Sequence, residues 1–461
     1  MPYKPVNSIE VLCWGQPVGA LALDARYGVY AFEYYEAHRR SGLELSPLLL
    51  PLSEQGAKVF PSLSRETFYG LPAFIADSLP DSFGNMLING WMAAHGVSWR
   101  QVTALDRLAY MGTRAMGALE FRPALRDGDV PPSALEMGSL VETARQALSV
   151  RLGQDSQNPE IGLAGQLGAV DGPPGFGSDR ESDPSENALQ QLVDISTSAG
   201  GARAKAVVGY HEQADAFVSG QFGLPPGYGH WIIKFDLSPA TPSGGPCRQA
   251  YGRIEYAYYL MACDMGIDMH PCRLYEAAGR AHFMARRFDR TPEGGKLHMQ
   301  TLCALGGLDF NVRDAHDYHQ AFMAAEEIGL GYTAADELFR RMVFNVAMAN
   351  NDDHTKNLSF LMTPDGAWSL APAYDLTHAY SPDSPWVSRH LMAVNGKFSN
   401  IERHDLMVLA RRYRVSAPGD IIDAALAAAA RWPRYAEKAQ VPPEKAQAIA
   451  HDIERCTQPL G

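Results

Sequence analysis

The sequence predicts an α+β protein with two lobes, a mixed α/β part followed by a mostly α-helical lobe. Up to about Arg290, short apolar runs rich in β-branched and aromatic residues, such as Tyr30–Tyr34, alternate with helical stretches. Beyond about Leu297, apolar residues recur at the three- and four-residue spacing of helices. A chain of 461 residues, of which 46% are hydrophobic, is long enough to bury more than one core.

Changes in composition divide the chain into four predicted parts. Residues 1–150 form an N-terminal mixed subdomain. Residues 151–187 are a flexible insertion, because their small and polar turn-forming residues leave little to bury. Residues 188–290 form a lobe with a glycine-rich loop and apolar strands, and residues 291–461 form the helical lobe.

Charge, cysteine usage and hydropathy exclude several classes of protein. A formal net charge of −12 argues against a protein that binds nucleic acid directly through its overall charge. The six cysteines include no Cys-x-x-Cys pair, so neither a zinc ribbon nor a disulfide framework is indicated. The first residues do not resemble a signal peptide, and no apolar run is long enough to span a bilayer. We therefore expect a cytoplasmic protein with no membrane partner.

The N-terminal elements follow from local patterns. Val11–Trp14 and Tyr30–Tyr34 predict strands. A helical stretch follows Ser82 and ends near Ala94, and a second helix is predicted from Ser98 to Met111.

A small, glycine-rich loop follows the insertion. After an ordered stretch at Ala188–Asp194, the residues Ser198, Ala199, Gly200, Gly201 and Ala202 lead through Lys205 into the apolar run Ala206–Tyr210. Because no side chain in Ala199–Ala202 is larger than a methyl group, the backbone amides can approach an anion closely. The pattern predicts a hairpin that covers phosphates, although most glycine-rich turns are simply turns.

The next strand contains one lysine. Lys234 interrupts the apolar strand pattern His230–Leu237, and an ammonium there needs a partner. Glu255, on the helix that begins near Ile254, can supply it. The alternative is an edge-strand lysine whose ammonium reaches solvent. Leu274–Ala278 and His282–Arg290 then predict a hairpin.

The helical lobe carries a polar loop. Ala334–Ala349 predicts a helix that ends at the loop Asn350–Asn357, and a hairpin then leads to Ala371–Asp375. The pattern Ser399–Glu402 resembles a capping box. Two further helices are predicted at Ile421–Arg431 and Pro443–Cys456.

The polar loop and the later aspartate contain the groups that phosphoryl transfer needs. Asp352 and Asn357 have the Asp-x-x-x-x-Asn spacing of protein-kinase catalytic loops. Asp352 would accept the proton of the attacking hydroxyl, Asn357 and Asp375 would bind Mg²⁺, and Lys234 would hold the nucleotide phosphates. His354 and Lys356 share the loop, and Lys356 would stabilise charge on the transferring phosphoryl group.

The order of these parts along the chain is that of protein kinases, and it is more specific than any single part. A glycine-rich loop, a strand lysine, a helix glutamate, an Asp/Asn loop and a second aspartate follow one another. Two other interpretations of the loop remain: a hydrogen-bonded turn that ends a helix, and a hydrolase metal site made by Asp352, Asp353, His354 and Asp375. A hydrolase site would leave Lys234 and the glycine-rich loop without a role.

With these motifs, nearly the whole chain resembles the HipA family of bacterial serine/threonine kinase toxins from type II toxin–antitoxin systems. The matching segments are Leu79–Asn85, Gly112–Phe121, Ser198–Lys205, Ile232–Lys234, Arg287–Arg290, Asp352–Asn357 and Tyr374–Asp375. The resemblance implies a kinase-like two-lobed fold, ATP and Mg²⁺ as cofactors, and self-phosphorylation at Ser198 or at its neighbour Ser196 or Thr197. It also implies that Arg286 and Phe288 lie at the adenine-contacting hinge, where many relatives carry a glutamate in place of Arg286.

The resemblance further implies partners. These are a protein substrate, with aminoacyl-tRNA synthetases as the precedent, and a helix-turn-helix antitoxin through which the toxin meets DNA indirectly. Two other functions stay open from the sequence: a catalytically silent co-repressor that works with its antitoxin, and a small-molecule phosphotransferase on the same scaffold.

Overall fold

The computed structural model describes residues 5–94, 96–125, 134–153, 196, 203–221, 223–237 and 250–461. The predicted phosphate loop, Ser198–Ala202, lies outside the described residues. So do the predicted stretch Ala188–Asp194 and most of the predicted insertion.

The N-terminal part is built on an antiparallel sheet of four strands in the order β3-β2-β1-β4. Its strands are β1 (Ser8–Cys13), β2 (Gln16–Asp24), β3 (Val29–Tyr34) and β4 (Leu119–Arg122). Trp14 and Gly15 join β1 to β2 with positive φ angles of 50° and 72°, as a two-residue hairpin turn requires. The helices of this part are α1 (Glu36–Ser41), α2 (Arg65–Phe68), α3 (Ala73–Ala76), α4 (Ser82–Ala94) and α5 (Ala104–Met111).

One predicted helix of this part is divided. The expected helix from Ser98 to Met111 is a 3₁₀ turn, Trp99–Gln101, followed by α5. The division occurs because the Thr103 hydroxyl accepts a hydrogen bond from Asp106 N, at 3.2 Å, while the Asp106 carboxylate accepts one from Thr103 N, at 2.7 Å. This capping box starts a new helix at Ala104.

The central sheet has six antiparallel strands in the order β5-β7-β6-β8-β10-β9. They are β5 (Ala134–Leu135), β6 (Lys205–His211), β7 (Ala216–Ser219), β8 (Gly229–Lys234), β9 (Cys272–Ala277) and β10 (Arg280–Arg286). Two helices accompany the sheet, α6 (Met137–Gly153) and α7 (Tyr251–Asp264). Residue 150, the predicted end of the N-terminal subdomain, lies inside α6, and β5, which precedes α6, pairs with β7 of the central sheet. Elements before and after residue 150 therefore belong to the same layer.

The second lobe is mostly helical. Its helices are α8 (Leu302–Gly306), α9 (Tyr318–Glu327), α10 (Tyr332–Ala347), α11 (Arg403–Arg412), α12 (Pro418–Ala430), α13 (Trp432–Lys438) and α14 (Pro443–Thr457). The apolar face of α10 lies in the same core as Tyr258 of α7 and Trp432 of α13. This core fixes α7, and with it Glu255, relative to the loop that follows α10.

Small sheets complete the second lobe. Strands β11 (His298–Thr301), β13 (Ser359–Met362) and β14 (Trp368–Leu370) form one antiparallel sheet, and β12 (His316–Asp317) pairs in parallel with β15 (Met392–Ala393). The predicted capping box at Ser399–Glu402 is wrong in its register. The cap of α11 is Glu402, whose backbone N donates to Asp405 at 2.9 Å, because Asp405 occupies the third helical position.

A buried charge network joins the N-terminal part to the rest. Arg287 donates two hydrogen bonds to Asp289, at 2.8 and 2.7 Å, and Asp289 also accepts from Gly117 N at 2.8 Å. Burial alone would raise the pKa of Asp289, but Arg287 and Arg290 hold it well below its usual range. Both arginines are held in place by a carboxylate that is ionised at neutral pH.

The α+β fold class predicted from the sequence is confirmed. In the described ranges, the helices are too short or too polar to cross a membrane.

Candidate active site

Three elements of the chain meet at Lys234. This lysine is the last residue of β8, and its ammonium lies 2.5 Å from Oε1 of Glu255 on α7. It is also paired with the carboxylate of Asp375, which follows β14. The side chains of Lys234 and Glu255 are 17% and 3% exposed, so this ion pair is largely shielded from water. The predicted pairing of Lys234 with Glu255 is therefore present, and Asp375 is part of the same cluster.

Close packing of α7 on the sheet makes this contact geometrically possible. A methyl group on Gly252 would overlap the carbonyl oxygen of Ala281 in β10. The absence of a side chain at Gly252 lets the first turn of α7 approach the sheet, and Glu255 follows three residues later.

Mutual attraction keeps these groups charged. Burial alone would raise the pKa of Asp375, but the positive charges of Lys234 and Lys205 lower it to about 2. Burial likewise opposes the charged form of Lys234, but Asp375 and Glu255 raise its pKa above its usual value. At neutral pH the cluster is one cation between two anions.

Asp375 has an unusual backbone conformation. Its φ of 54° is in the left-handed region, and a residue with a Cβ adopts this backbone conformation at a cost in energy. The preceding residue holds the segment, because the Tyr374 hydroxyl donates to Lys356 O at 2.6 Å and lies 2.5 Å from the Ser359 hydroxyl. These bonds link the Asp375 segment to the Asp352–Asn357 loop.

The loop after α10 is closed by its own asparagine. Nδ2 of Asn357 donates to the backbone carbonyl of Asp352 at 2.7 Å, which fixes the Asn357 side chain relative to the backbone of Asp352. The Asp352 side chain is 47% exposed. Desolvation raises the pKa of Asp352, His354 opposes the rise, and the negative charge of Asp375 adds to it.

His354 and Lys356 lie on the same loop beside one aromatic ring. Nε2 of His354 is 3.9 Å from Asp352, and its ring centroid is 5.4 Å from that of Phe310. The ammonium of Lys356 lies 4.7 Å from the centre of the same ring. Its positive charge also acts on Asp77, which follows α3 and accepts a hydrogen bond from Thr301 N at 2.7 Å.

The predicted hinge residues lie at the end of β10. Arg286 is exposed, and its backbone N donates to Pro271 O at 2.9 Å. Phe288 lies with its ring centroid 5.5 Å from that of Tyr374 and 6.2 Å from that of His270. The adenine contacts proposed for Arg286 and Phe288 stay predictions.

The sequence reasoning missed the role of Asp353. Its buried carboxylate accepts hydrogen bonds from the Tyr318 hydroxyl at 2.9 Å and from Leu391 N at 2.7 Å, and Nδ1 of His390 is 2.9 Å away. These partners come from α9 and from the segment before β15. The sequence shows two adjacent aspartates and gives no sign of which one is buried.

The sequence also missed a link to the N-terminal part. The ammonium of buried Lys205 lies 3.6 Å from Asp81, next to the start of α4. In the sheet, Lys205 is directly opposite Lys234. Burial raises the pKa of Asp81 to about 6 against the opposing effect of Lys205.

The oxygen donors fit a magnesium ion bound with phosphates. Since Nδ2 of Asn357 is used by the Asp352 carbonyl, its Oδ1 is left as an acceptor, and Asp375 supplies a carboxylate. Mg²⁺ in nucleotide sites commonly takes one or two such protein ligands together with phosphates and water. Within the described part of the chain, no group of three or more His, Cys, Asp or Glu side chains is arranged to hold a metal ion.

Comparisons with known proteins now identify the family. Residues 197–459 match the family described as "HipA-like C-terminal domain", and residues 9–122 match "HipA N-terminal domain". The chain belongs to the HipA family. The first match alone spans more than half of the chain, so membership does not depend on any single motif.

Similar proteins include two from Sinorhizobium fredii. The protein named "Putative kinase Y4dM" is 32% identical over 32% of this chain and 37% of its own length. "Putative kinase Y4mE" is 28% identical over 33% of this chain and 42% of its own length. This chain therefore matches only about two fifths of the length of these two relatives.

A solved structure shares the fold over nearly the whole chain. It is the complex of Shewanella oneidensis MR-1 HipA, HipB and its operator DNA, with a TM-score of 0.63 and 18% identity. The match covers 97% of this chain and 95% of the other. At this identity the similarity establishes the fold.

Proposed function

We propose that this HipA-family protein is an ATP- and Mg²⁺-dependent serine/threonine protein kinase and the toxin of a cytoplasmic toxin–antitoxin pair. The observation that carries the proposal is the position of Lys234 between Glu255 and Asp375. The segment of Asp375 is bonded to the loop in which the Asn357 side chain donates to the Asp352 backbone. A strand lysine, a helix glutamate and a metal-binding aspartate in one cluster are the parts that protein kinases use to bind a nucleotide. The kinase names of the two Sinorhizobium relatives agree with it.

Each residue has a separate task in this proposal. Lys234 binds nucleotide phosphates, and Asp375 and Asn357 would hold Mg²⁺. Bound Mg²⁺ would neutralise charge on the phosphates. Asp352 accepts the proton of the attacking serine or threonine hydroxyl, and its raised pKa makes it a stronger base than an ordinary aspartate.

The partners follow from the family and from the solved complex. The Shewanella HipA is bound to HipB and operator DNA. By analogy, this chain would bind a helix-turn-helix antitoxin and meet DNA through it, in keeping with its net charge of −12. Its substrate would be a housekeeping protein such as an aminoacyl-tRNA synthetase. Phosphorylation of Ser198 would place about two negative charges at the nucleotide phosphates and silence the enzyme.

Incubation of the full chain with γ-labelled ATP and Mg²⁺ tests the proposal. We expect label on the protein, located by mass spectrometry in the loop around Ser198. Asp352→Asn should reduce labelling by at least ~100-fold, because proton transfer typically contributes that much. Asp383→Asn, at an exposed position in the segment after Asp375, is the control and should label normally.

Three results would contradict parts of the proposal. Normal labelling of Asp352→Asn would show that another group is the base. Phosphate on an added small molecule, with none on protein, would favour a small-molecule phosphotransferase. An unlabelled protein that still binds its antitoxin would indicate a silent co-repressor.

A further inference from the structure

Arg203 lies beside the cluster at Lys234, two residues before β6 begins. Its guanidinium carbon is 4.2 Å from the centre of the Tyr251 ring, at the start of α7. Its Nη1 is 4.0 Å from Glu255, a distance that allows attraction but is too long for a hydrogen bond. With 41% of its side chain exposed, Arg203 is a cation at the open side of the site.

The strand that follows Arg203 leads to the same cluster. Lys205, the first residue of β6, is directly opposite Lys234 in the central sheet, and Arg203 precedes it by two residues. Arg203 therefore lies at the end of the sheet that carries Lys234, where the nucleotide phosphates would bind.

Three lysines near this site already have contacts within the described part of the chain. Lys234 is paired with two carboxylates, and Lys205 is buried beside Asp81. Lys356, to which the sequence assigned the role of stabilising the transferring group, lies against Phe310, and its charge acts on Asp77. Arg203 combines exposure with a position fixed by stacking on Tyr251, which limits the entropy lost when it binds an anion.

We propose that Arg203 is a catalytic residue that contacts the phosphoryl group during its transfer. This role rests on the proposed kinase function and extends it. The substrate hydroxyl oxygen forms a bond to the γ-phosphorus while the bond from that phosphorus to the bridging oxygen breaks. ADP keeps the electron pair, and Asp352 takes the hydroxyl proton. Negative charge is spread over the equatorial oxygens in this state, and a guanidinium can donate two parallel hydrogen bonds to them.

Calorimetric binding to two probes tests this role separately from turnover. The probes are Mg·ADP alone and Mg·ADP with aluminium fluoride, which mimics the phosphoryl group in transfer. Arg203→Met keeps the length of the side chain and removes its charge. Arg203→Lys keeps a positive charge but lacks the planar guanidinium with its paired N–H donors. Arg26→Met removes another arginine stacked on a tyrosine, Tyr27, in the β2–β3 turn and serves as the control.

We expect Arg203→Met to bind Mg·ADP within about twofold of the wild type but to lose most of the extra affinity given by aluminium fluoride. The rate of phosphate transfer should fall by roughly 1,000-fold, which is the lower end of the effect known for arginines that contact a transferring phosphoryl group. Arg203→Lys should recover only part of both, because an ammonium cannot donate in a bidentate manner. Arg26→Met should match the wild type.

Two outcomes would overturn the inference in different ways. If Arg203→Met weakens both probes equally, or leaves both unchanged, the residue does not act on the transferring group, while the kinase function stands. If the wild type binds neither probe, the proposed function fails together with this role.

Discussion

The ion pair between Lys234 and Asp375 makes a quantitative prediction about stability. Asp375→Asn keeps the shape of the side chain and removes its charge. The pKa of Asp375 is lowered from its usual 3.8 to about 2, and a tenfold change in proton affinity corresponds to about 1.4 kcal/mol. The ionised carboxylate therefore stabilises the fold by about 2 kcal/mol at neutral pH.

The pH dependence of this contribution has a definite sign. Because the pKa is lower in the folded than in the unfolded chain, the stabilisation is complete above the unfolded value of 3.8 and disappears as the pH falls through about 2. Asp375→Asn should thus lower the free energy of unfolding by about 2 kcal/mol at pH 7 and by roughly half as much near pH 3.

Urea unfolding followed by tryptophan fluorescence measures this difference, with buried Trp231 and Trp432 as reporters. Asp383→Asn is again the matched control, since its exposed side chain should change stability little at either pH. An Asp375→Asn protein as stable as the wild type at pH 7, or equally destabilised at both pH values, would refute the reasoning from the ion pair.

Two further predictions concern the framework of the site. Gly252→Ala should destabilise the protein by about 1–3 kcal/mol, because the new methyl group overlaps the Ala281 carbonyl and pushes α7 away from the sheet. Thermal unfolding measures the effect, with Gly223→Ala as the control because its added methyl group meets open space. Equal stabilities of the two variants would contradict the prediction. Asp353→Ala should lower the free energy of unfolding by about 2–4 kcal/mol, because it leaves the buried Tyr318 hydroxyl and Leu391 N without their acceptor. Urea unfolding checks this, and a change below about 0.5 kcal/mol would show that the network is dispensable.

Local patterns were enough to predict the strand of Lys234, the helix of Glu255 and the loop after α10. These predictions succeed because apolar periodicity and local turn residues set the type of element, and both are written within a few neighbouring residues. They were less reliable at the ends of elements. The sequence from Ser98 to Met111 has the pattern of one helix, but the capping box between Thr103 and Asp106 starts a new helix in its middle. The N-cap of α11 is Glu402, where a serine was expected.

The order of residue types along the sequence was by itself enough to identify the family. Only the tertiary structure decided which of two adjacent aspartates is buried, since Asp353 is distinguished from Asp352 by partners 35 and 38 residues away. It also placed Asp81 beside Lys205 and Arg203 beside Glu255. The physical reason is that hydrogen bonds and charge interactions depend on distance in space, and distant segments meet only after the apolar faces of α7, α10 and the central sheet have packed together.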